Sequence, residues 1–188
     1  MGSILGIFSA FGLSASAGLN AYIPLLVVAL AARFTNLITL SDRWDALTSW
    51  WVIALLVILS IIEFLVDKFP AVNHINDIII QSFVRPTAGA IVFAASTNVI
   101  SDIHPVLALA LGLLVSGGVH AVKSTAIRPA VSVATGGTGN IPISVTEDVT
   151  SGTLSVLSVV VPIAALVIVV SLLSWLIWRF YLRDPKAK

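Results

Sequence analysis

The chain has 188 residues, of which 58% are hydrophobic and 10% are charged, and its formal net charge is +1. With a mean hydropathy of +1.06, this composition excludes an ordinary soluble domain, where about a quarter of residues are charged, and predicts a single transmembrane domain over residues 1–188. The near-zero charge argues against a nucleic-acid partner, and the lack of cysteine excludes disulfides and thiolate metal sites.

Apolar stretches separated by short links predict an all-α fold, a polytopic transmembrane helix bundle. They cover residues 4–33, 50–66, 78–97, 105–125 and 152–180. As one straight helix the first stretch would be about 45 Å long, against a hydrocarbon core of about 30 Å. Its small and polar segment Ser14–Asn20, followed by Pro24, predicts either a broken helix or a helix packed closely through small residues.

The second helix carries two carboxylates, Glu63 and Asp67, which lie four residues apart and therefore on one face. Two carboxylates in a low dielectric repel each other, so we expect one to be protonated unless a cation compensates it. This arrangement is typical of a proton-coupling site. Alternatively, Glu63 and Asp67 form structural ion pairs or lie at the level of the lipid head groups.

The segment 78–97 contains Arg85–Pro86, so it either crosses the membrane or enters and turns back. A possible internal repeat brackets it: residues 12–21 align without gaps on residues 112–121, with five of ten positions identical. The repeat halves would be about 4–97 and 105–182. They would be inverted if 78–97 crosses, as in many transporters, and parallel if it is re-entrant.

Three potential cations, His120, Lys123 and Arg128, fall along one helical wall, with Asn20 at the position that aligns with His120. Together with Arg85 they predict a site for phosphate or carboxylate, because arginine binds both in bidentate fashion. Pairing with internal carboxylates is the equal alternative for the arginines. For His120 alone, a hydrogen-bonded packing role is the favoured interpretation, and the histidine spacing predicts no metal site.

A polar run from Thr135 to Asp148 separates two apolar stretches and begins with a glycine-rich segment, 135–140. It predicts a re-entrant segment lining a wet cavity, or else an exposed loop. It lacks the Gly-Lys-Ser/Thr ending of a nucleotide-binding loop. Basic residues in the tail after Trp178 predict a cytoplasmic C-terminus.

Several separated motifs together resemble one known family. They are Gly18–Leu26, Glu63 with Asp67, Lys68 and Pro70, Asp77, Arg85–Pro86 with Gly89–Ala90, His120 with Lys123, and Thr135–Gly137 running to Asn140, Glu147 and Asp148. This pattern resembles the bacterial integral-membrane domain-of-unknown-function family 4126. One departure is Ile141, which separates Asn140 from Pro142 where the family has proline directly after the asparagine. The resemblance implies a compact multi-helix membrane protein, without an assigned activity.

The charged segments and interrupted helices predict a small secondary transporter or lipid-phosphate flippase that moves an anionic substrate with proton or cation coupling. The alternative is a non-transporting scaffold or partner subunit whose buried charges only link helices.

We expect no enzymatic activity and no cofactor. The expected partners are the lipid bilayer, an anionic small molecule or lipid head group, and a second copy in a homodimer, in the bacterial inner membrane. The predicted site residues are Asn20, Glu63, Asp67, Asp77, Arg85, His120, Lys123, Arg128, Glu147 and Asp148.

Overall fold

The computed structural model describes residues 3–40, 42–67, 80–96 and 104–178, and throughout these ranges the regular structure is helical, with eight α-helices and no strand. The helices are α1 (Ser3–Leu19), α2 (Tyr22–Phe34), α3 (Trp50–Val66), α4 (Gln81–Ser96), α5 (Pro105–Val122), α6 (Arg128–Thr135), α7 (Asn140–Val160) and α8 (Pro162–Ile177). A short 3₁₀ turn, Asp45–Thr48, precedes α3, and a π-helical turn, Lys123–Ile127, joins α5 to α6. The all-α prediction is confirmed.

The first apolar stretch is broken, because α1 ends at Leu19 and α2 begins at Tyr22. The side-chain oxygen of Asn20 accepts hydrogen bonds from the backbone N–H groups of Tyr22 and Ile23, at 3.1 and 3.0 Å. These bonds satisfy donors that the first turn of a helix leaves without partners. Pro24 lies in the same first turn, where its missing N–H removes no helical bond. The predicted break is confirmed.

Small residues also bring α1, α4 and α5 into close contact. The hydroxyl of Ser14 donates to the carbonyl oxygens of Gly112, at 2.7 Å, and Gly89, at 3.2 Å. A Cβ atom added at Gly112 would overlap the backbone oxygen of Gly89. Backbones approach this closely only where the interface lacks side chains, as in helix pairs packed through small residues. The two sequence alternatives, a break and close packing, therefore both occur.

A row of serines joins α7 to α1. Ser16 contacts the hydroxyls of Ser151 and Ser155, at 2.8 and 2.6 Å, and Ser9 donates to the backbone oxygen of Ser158, at 2.6 Å. All five serines are buried. The hydroxyls of Ser9, Ser16, Ser151 and Ser155 bond across the interface, whereas that of Ser158 donates to Leu154 of its own helix. This helix pair is therefore held by hydrogen bonds as well as by packing.

The outer surface of the helices is strongly apolar. Trp51 of α3 is 88% exposed, Val133 of α6 is 87% exposed, and large aliphatic side chains are exposed along α3, α5 and α8. Among the described residues, one continuous helical run has the length and apolar composition needed to cross a membrane, and it covers Pro105–Thr135. Three shorter apolar helices accompany it.

One sequence expectation needs correction in the second half of the chain. The polar run from Thr135 to Asp148 does not have irregular backbone, because a turn at 136–139 leads directly into α7. Gly136 and Gly137 adopt positive φ, 60° and 88°, which lets the chain reverse there. Whether this part of the chain re-enters a membrane stays a prediction. The apolar stretch that starts at 152 is divided at Pro162, which separates α7 from α8.

Both Arg–Pro pairs lie inside helical structure. Pro86 is within α4, and Pro129 is in the first turn of α6, directly after the π-helical turn. Because Pro129 has no N–H to offer the carbonyl four residues earlier, a wider turn precedes it. Whether α4 crosses a membrane, and whether the repeat halves are inverted, stay predictions. The basic tail at 179–188 and Asp77 lie outside the described residues.

The contact at Gly112 predicts a stability difference between two glycines of the same helix. Gly112→Ala should destabilise the protein by about 1–3 kcal/mol, because the added methyl group meets backbone that cannot move aside. Gly118→Ala is the matched control, since a Cβ there meets no atom within 4 Å. Thermal unfolding of both variants in the same detergent measures the difference, and equal midpoints would contradict the close approach.

Candidate functional site

Buried polar and charged side chains converge on the break between α1 and α2. We call this set the charge network, and its members are Asn20, Glu63, Asp67, Arg85, His120, Lys123, Arg128, Glu147 and Asp148. All are at most 9% exposed, and Arg85 is fully buried. They come from α1–α2, α3, α4, α5, the π-helical turn, α6 and α7, so the network connects nearly every described helix.

Glu63 binds the N-terminal end of α2. Its carboxylate accepts a hydrogen bond from the backbone N–H of Ala21, at 3.2 Å, and hydrogen bonds from Nη2 and Nε of Arg85, at 3.0 and 3.2 Å. A helix N-terminus carries partial positive charge, so a carboxylate is stabilised there. Glu63 therefore joins α3, α4 and the start of α2 through a single side chain.

Lys123 binds the opposite side of the break. Its Nζ donates to the backbone oxygen of Leu19, at 3.0 Å, and forms an ion pair with Oε2 of Glu147, at 2.9 Å. A helix C-terminus carries partial negative charge, so a cation is stabilised there. Each of the two helix ends created by the break thus receives a side chain of opposite charge.

Between these two contacts, acids and bases alternate. Oδ2 of Asp67 lies 3.5 Å from Nη2 of Arg85 and 3.3 Å from Nη2 of Arg128, which in turn pairs with Oε2 of Glu147 at 2.6 Å. The sequence of contacts therefore runs Glu63–Arg85–Asp67–Arg128–Glu147–Lys123. The other oxygen of Asp67, Oδ1, is buried without a hydrogen-bond partner.

Two polar side chains extend the network. The amide nitrogen of Asn20 donates to Oδ1 of Asp148, at 3.0 Å. Nδ1 of His120 lies 3.3 Å from Nη1 of Arg85, and its Nε2 lies 3.4 Å from the hydroxyl of Ser82. A guanidinium can only donate, so Nδ1 is the acceptor and the geometry assigns the ring proton of a neutral His120 to Nε2.

Four carboxylates face three permanent cations in the network, so its formal charge is −1 while His120 is neutral. A charge removed from water is costly unless it is compensated, which is why the buried acids and bases of this set lie next to one another. Within the described ranges, no group of three or more His, Asp or Glu side chains is arranged to hold a metal ion.

The structure brings together nine of the ten side chains that the sequence singled out, all except Asp77, which lies outside the described residues. Glu63 pairs with Arg85, which is the ion-pair alternative that the sequence left open. Both arginines and Lys123, considered as anion ligands, contact carboxylates of the protein itself.

The predicted site residues did not include Ser144 and Gln81. Both are buried, and the hydroxyl of Ser144 and the side-chain oxygen of Gln81 lack hydrogen-bond partners. Ser144 precedes Glu147 by three residues and Gln81 precedes Arg85 by four, so each shares a helix face with the network. This spacing is the sequence feature that could have predicted a position of both side chains beside the network.

Comparison with known proteins places the chain in a family. The family model described as Domain of unknown function (DUF4126) matches residues 7–182, nearly the whole chain, so the protein belongs to this family. No curated protein and no solved structure matches the chain.

The Glu63–Arg85 contact predicts strong energetic coupling. Arg85→Gln should destabilise the protein by about 3–5 kcal/mol, because it leaves buried carboxylates uncompensated. The double variant with Glu63→Gln should recover part of that loss, and a double-mutant cycle of unfolding free energies measures the coupling. Arg43→Gln, at an exposed position, is the control. Additive effects of the two network substitutions would contradict the pairing.

Proposed function

We propose that this DUF4126 protein is a small multi-pass transporter of the bacterial inner membrane, in which the charge network takes up an anionic substrate and a coupling proton. The observation that carries the proposal is the position of the network. Seven buried charged side chains lie at the two ends of a broken helix, inside a set of helices whose outer faces are apolar.

The distribution of polarity supports a membrane setting. In water, charged side chains face the solvent and large apolar ones are buried, whereas here Arg85 is fully buried and Trp51 is 88% exposed. A contiguous apolar exterior of this extent is expected where lipid tails are the solvent. The apolar run Pro105–Thr135 has the length that crossing requires.

The broken helix supports transport. In many secondary transporters, discontinuous helices present their half-helix ends to substrates and coupling ions near the bilayer midplane. Here the N–H of Ala21 and the carbonyl of Leu19 are held by Glu63 and Lys123. A substrate can replace Glu63 or Lys123 in these contacts. A continuous helix would not offer such backbone groups, because they would be bonded within the helix.

The charge balance supports a proton as the coupling ion. Among the described members of the network the carboxylates outnumber the permanent cations by one, and in the described residues these oxygens are not arranged with other ligands as a metal site. Proton uptake by one carboxyl group neutralises the network without any further ligand.

The exposure of the network members suggests a side of entry. Exposure is lowest at Arg85 in α4 and highest at Arg128, Glu147 and Asp148, which α6 and α7 supply. Substrate and protons would therefore reach the network from the α6–α7 side.

The second candidate function is a membrane scaffold or partner subunit. The observation in its favour is that acids and bases of the network already pair with one another, as charges that only link helices would do. The two functions differ in hydration: a transporter must admit water to the network during its cycle, and a scaffold need not.

Flux measurements in liposomes test transport directly. Reconstituted protein should move an anion from a panel that includes phosphate, carboxylates and lipid phosphates, faster when a proton gradient is imposed. Glu147→Gln should abolish the dependence on the gradient, because a glutamine cannot exchange a proton at the bridge between Lys123 and Arg128. Asp45→Asn, in the exposed 3₁₀ turn, is the control. Absence of flux across the panel would contradict the proposal.

Cysteine accessibility separates the two functions. The chain contains no cysteine, so a single introduced thiol can be followed without background. For a transporter, Ser144→Cys, beside Glu147 and Asp148 on α7, should react with a water-soluble, membrane-impermeant maleimide. Ser158→Cys, equally buried on the same helix but distant along it, should not. Equal protection of both thiols would favour the scaffold.

A further inference from the structure

An apolar cavity of about 270 Å³ lies among α1, α5, α7 and α8, and it is partly open to the outside. Its walls are almost wholly hydrocarbon, and they include Leu19, Val119, Ile127, Leu154, Leu172 and Trp175. Lys123 is its one charged lining residue. The cavity therefore adjoins the charge network at a single side chain.

The size and lining of the cavity limit its occupant. Apolar cavities exclude water and accept apolar ligands. Pockets that hold whole drug-sized ligands have volumes of roughly 300–1,000 Å³, so a volume just below that range suits a single hydrocarbon chain. Among the lining residues, the polar groups able to orient a water-soluble molecule are those of Lys123, Thr150 and the indole N–H of Trp175.

The neighbouring part of the network resembles an occupied anion site. One atom, Oε2 of Glu147, contacts both Nζ of Lys123, at 2.9 Å, and Nη2 of Arg128, at 2.6 Å. A phosphate or carboxylate oxygen from a ligand would make the same charge-assisted contacts. Glu147 is also among the more exposed members of the network, at 7%.

From this juxtaposition we propose that the substrate is a single-chain anionic amphiphile, whose head group replaces the carboxylate of Glu147 on Lys123 and Arg128 while its chain fills the apolar cavity. The inference rests on the proposed function and names the substrate class of that same site. Lys123 belongs to both parts, because its stem lines the cavity and its Nζ belongs to the network.

The head group and Glu147 compete for the same two cations. Among the described residues, the charged groups around the Glu147 carboxylate are Lys123 of the π-helical turn, Arg128 of α6, Asp67 of α3 through Arg128, and Asp148 of α7 itself.

Fluorescence quenching by a brominated chain tests the inference. The probe is an undecyl phosphate with bromine at the chain end, added to the protein in phosphatidylcholine nanodiscs. Bromine in the cavity should quench Trp175, and the difference between wild type and Trp175→Phe isolates that signal. The expected result is saturable quenching by the phosphate probe and much weaker quenching by the same chain carrying trimethylammonium. Equal quenching by both head groups would mean ordinary lipid-chain contact and would overturn the inference.

Three variants test the head-group site and the chain site separately. Glu147→Gln should tighten binding of the phosphate probe by about tenfold, because the competing carboxylate is gone. If Glu147 had only a structural role, the same substitution would weaken probe binding. Unchanged or weaker binding overturns the head-group site. Ile168→Phe, which narrows the cavity from α8, should weaken binding, and Val170→Phe on the same helix should not. Equal effects of Ile168→Phe and Val170→Phe on probe binding would overturn the placement of the hydrocarbon chain in the cavity.

The outcomes also separate this inference from transport itself. Saturable probe binding with the expected variant pattern, but without flux in liposomes, would refute transport and leave the amphiphile site standing. Flux of a small water-soluble anion without quenching of Trp175 would refute the amphiphile inference and leave transport standing.

Discussion

Burial of charge is the constraint on which the rest of this structure depends. A guanidinium as deeply buried as that of Arg85 is tolerated only when carboxylates compensate it at hydrogen-bonding distance, and here Glu63 and Asp67 do so. The same requirement recurs at Lys123 and Arg128, which share Glu147. Because each pair joins different helices, the positions of those helices are determined by the pairing of the charges.

The helix break and the charge network stabilise each other. A break in the backbone leaves N–H and carbonyl groups without helical partners, and these need other partners when they are buried. Asn20 and Glu63 supply acceptors on one side, and Lys123 supplies a donor on the other. The close glycine contacts of α1, α4 and α5 bring the side chains within reach. The packing of these helices and the polar contacts at the break therefore stabilise the same region of the interior.

Sequence patterns succeeded where local chemistry decides the structure. The boundaries of α3 follow from an apolar run that ends at charged residues, and the break near Asn20 follows from a segment too long for one helix. The patterns failed between Thr135 and Asp148, where glycine and polar residues indicated irregular backbone. Ser144, Glu147 and Asp148 are buried along α7, so their polarity reflects the tertiary environment of a helix rather than a loop.

The sequence by itself determined the helical class and the charged members of the buried polar set, because composition and charged positions are local properties. It located the interruption near Asn20 but left open whether the helix breaks there. Only the tertiary structure decided which charges pair. Asp67 meets Arg128 and Asn20 meets Asp148 across long stretches of chain. Such pairings depend on the packing and rotation of helices, which set the direction of each side chain, and periodicity alone does not specify them. The apolar cavity beside Lys123 arises in the same way, from the gap that five packed segments leave between them.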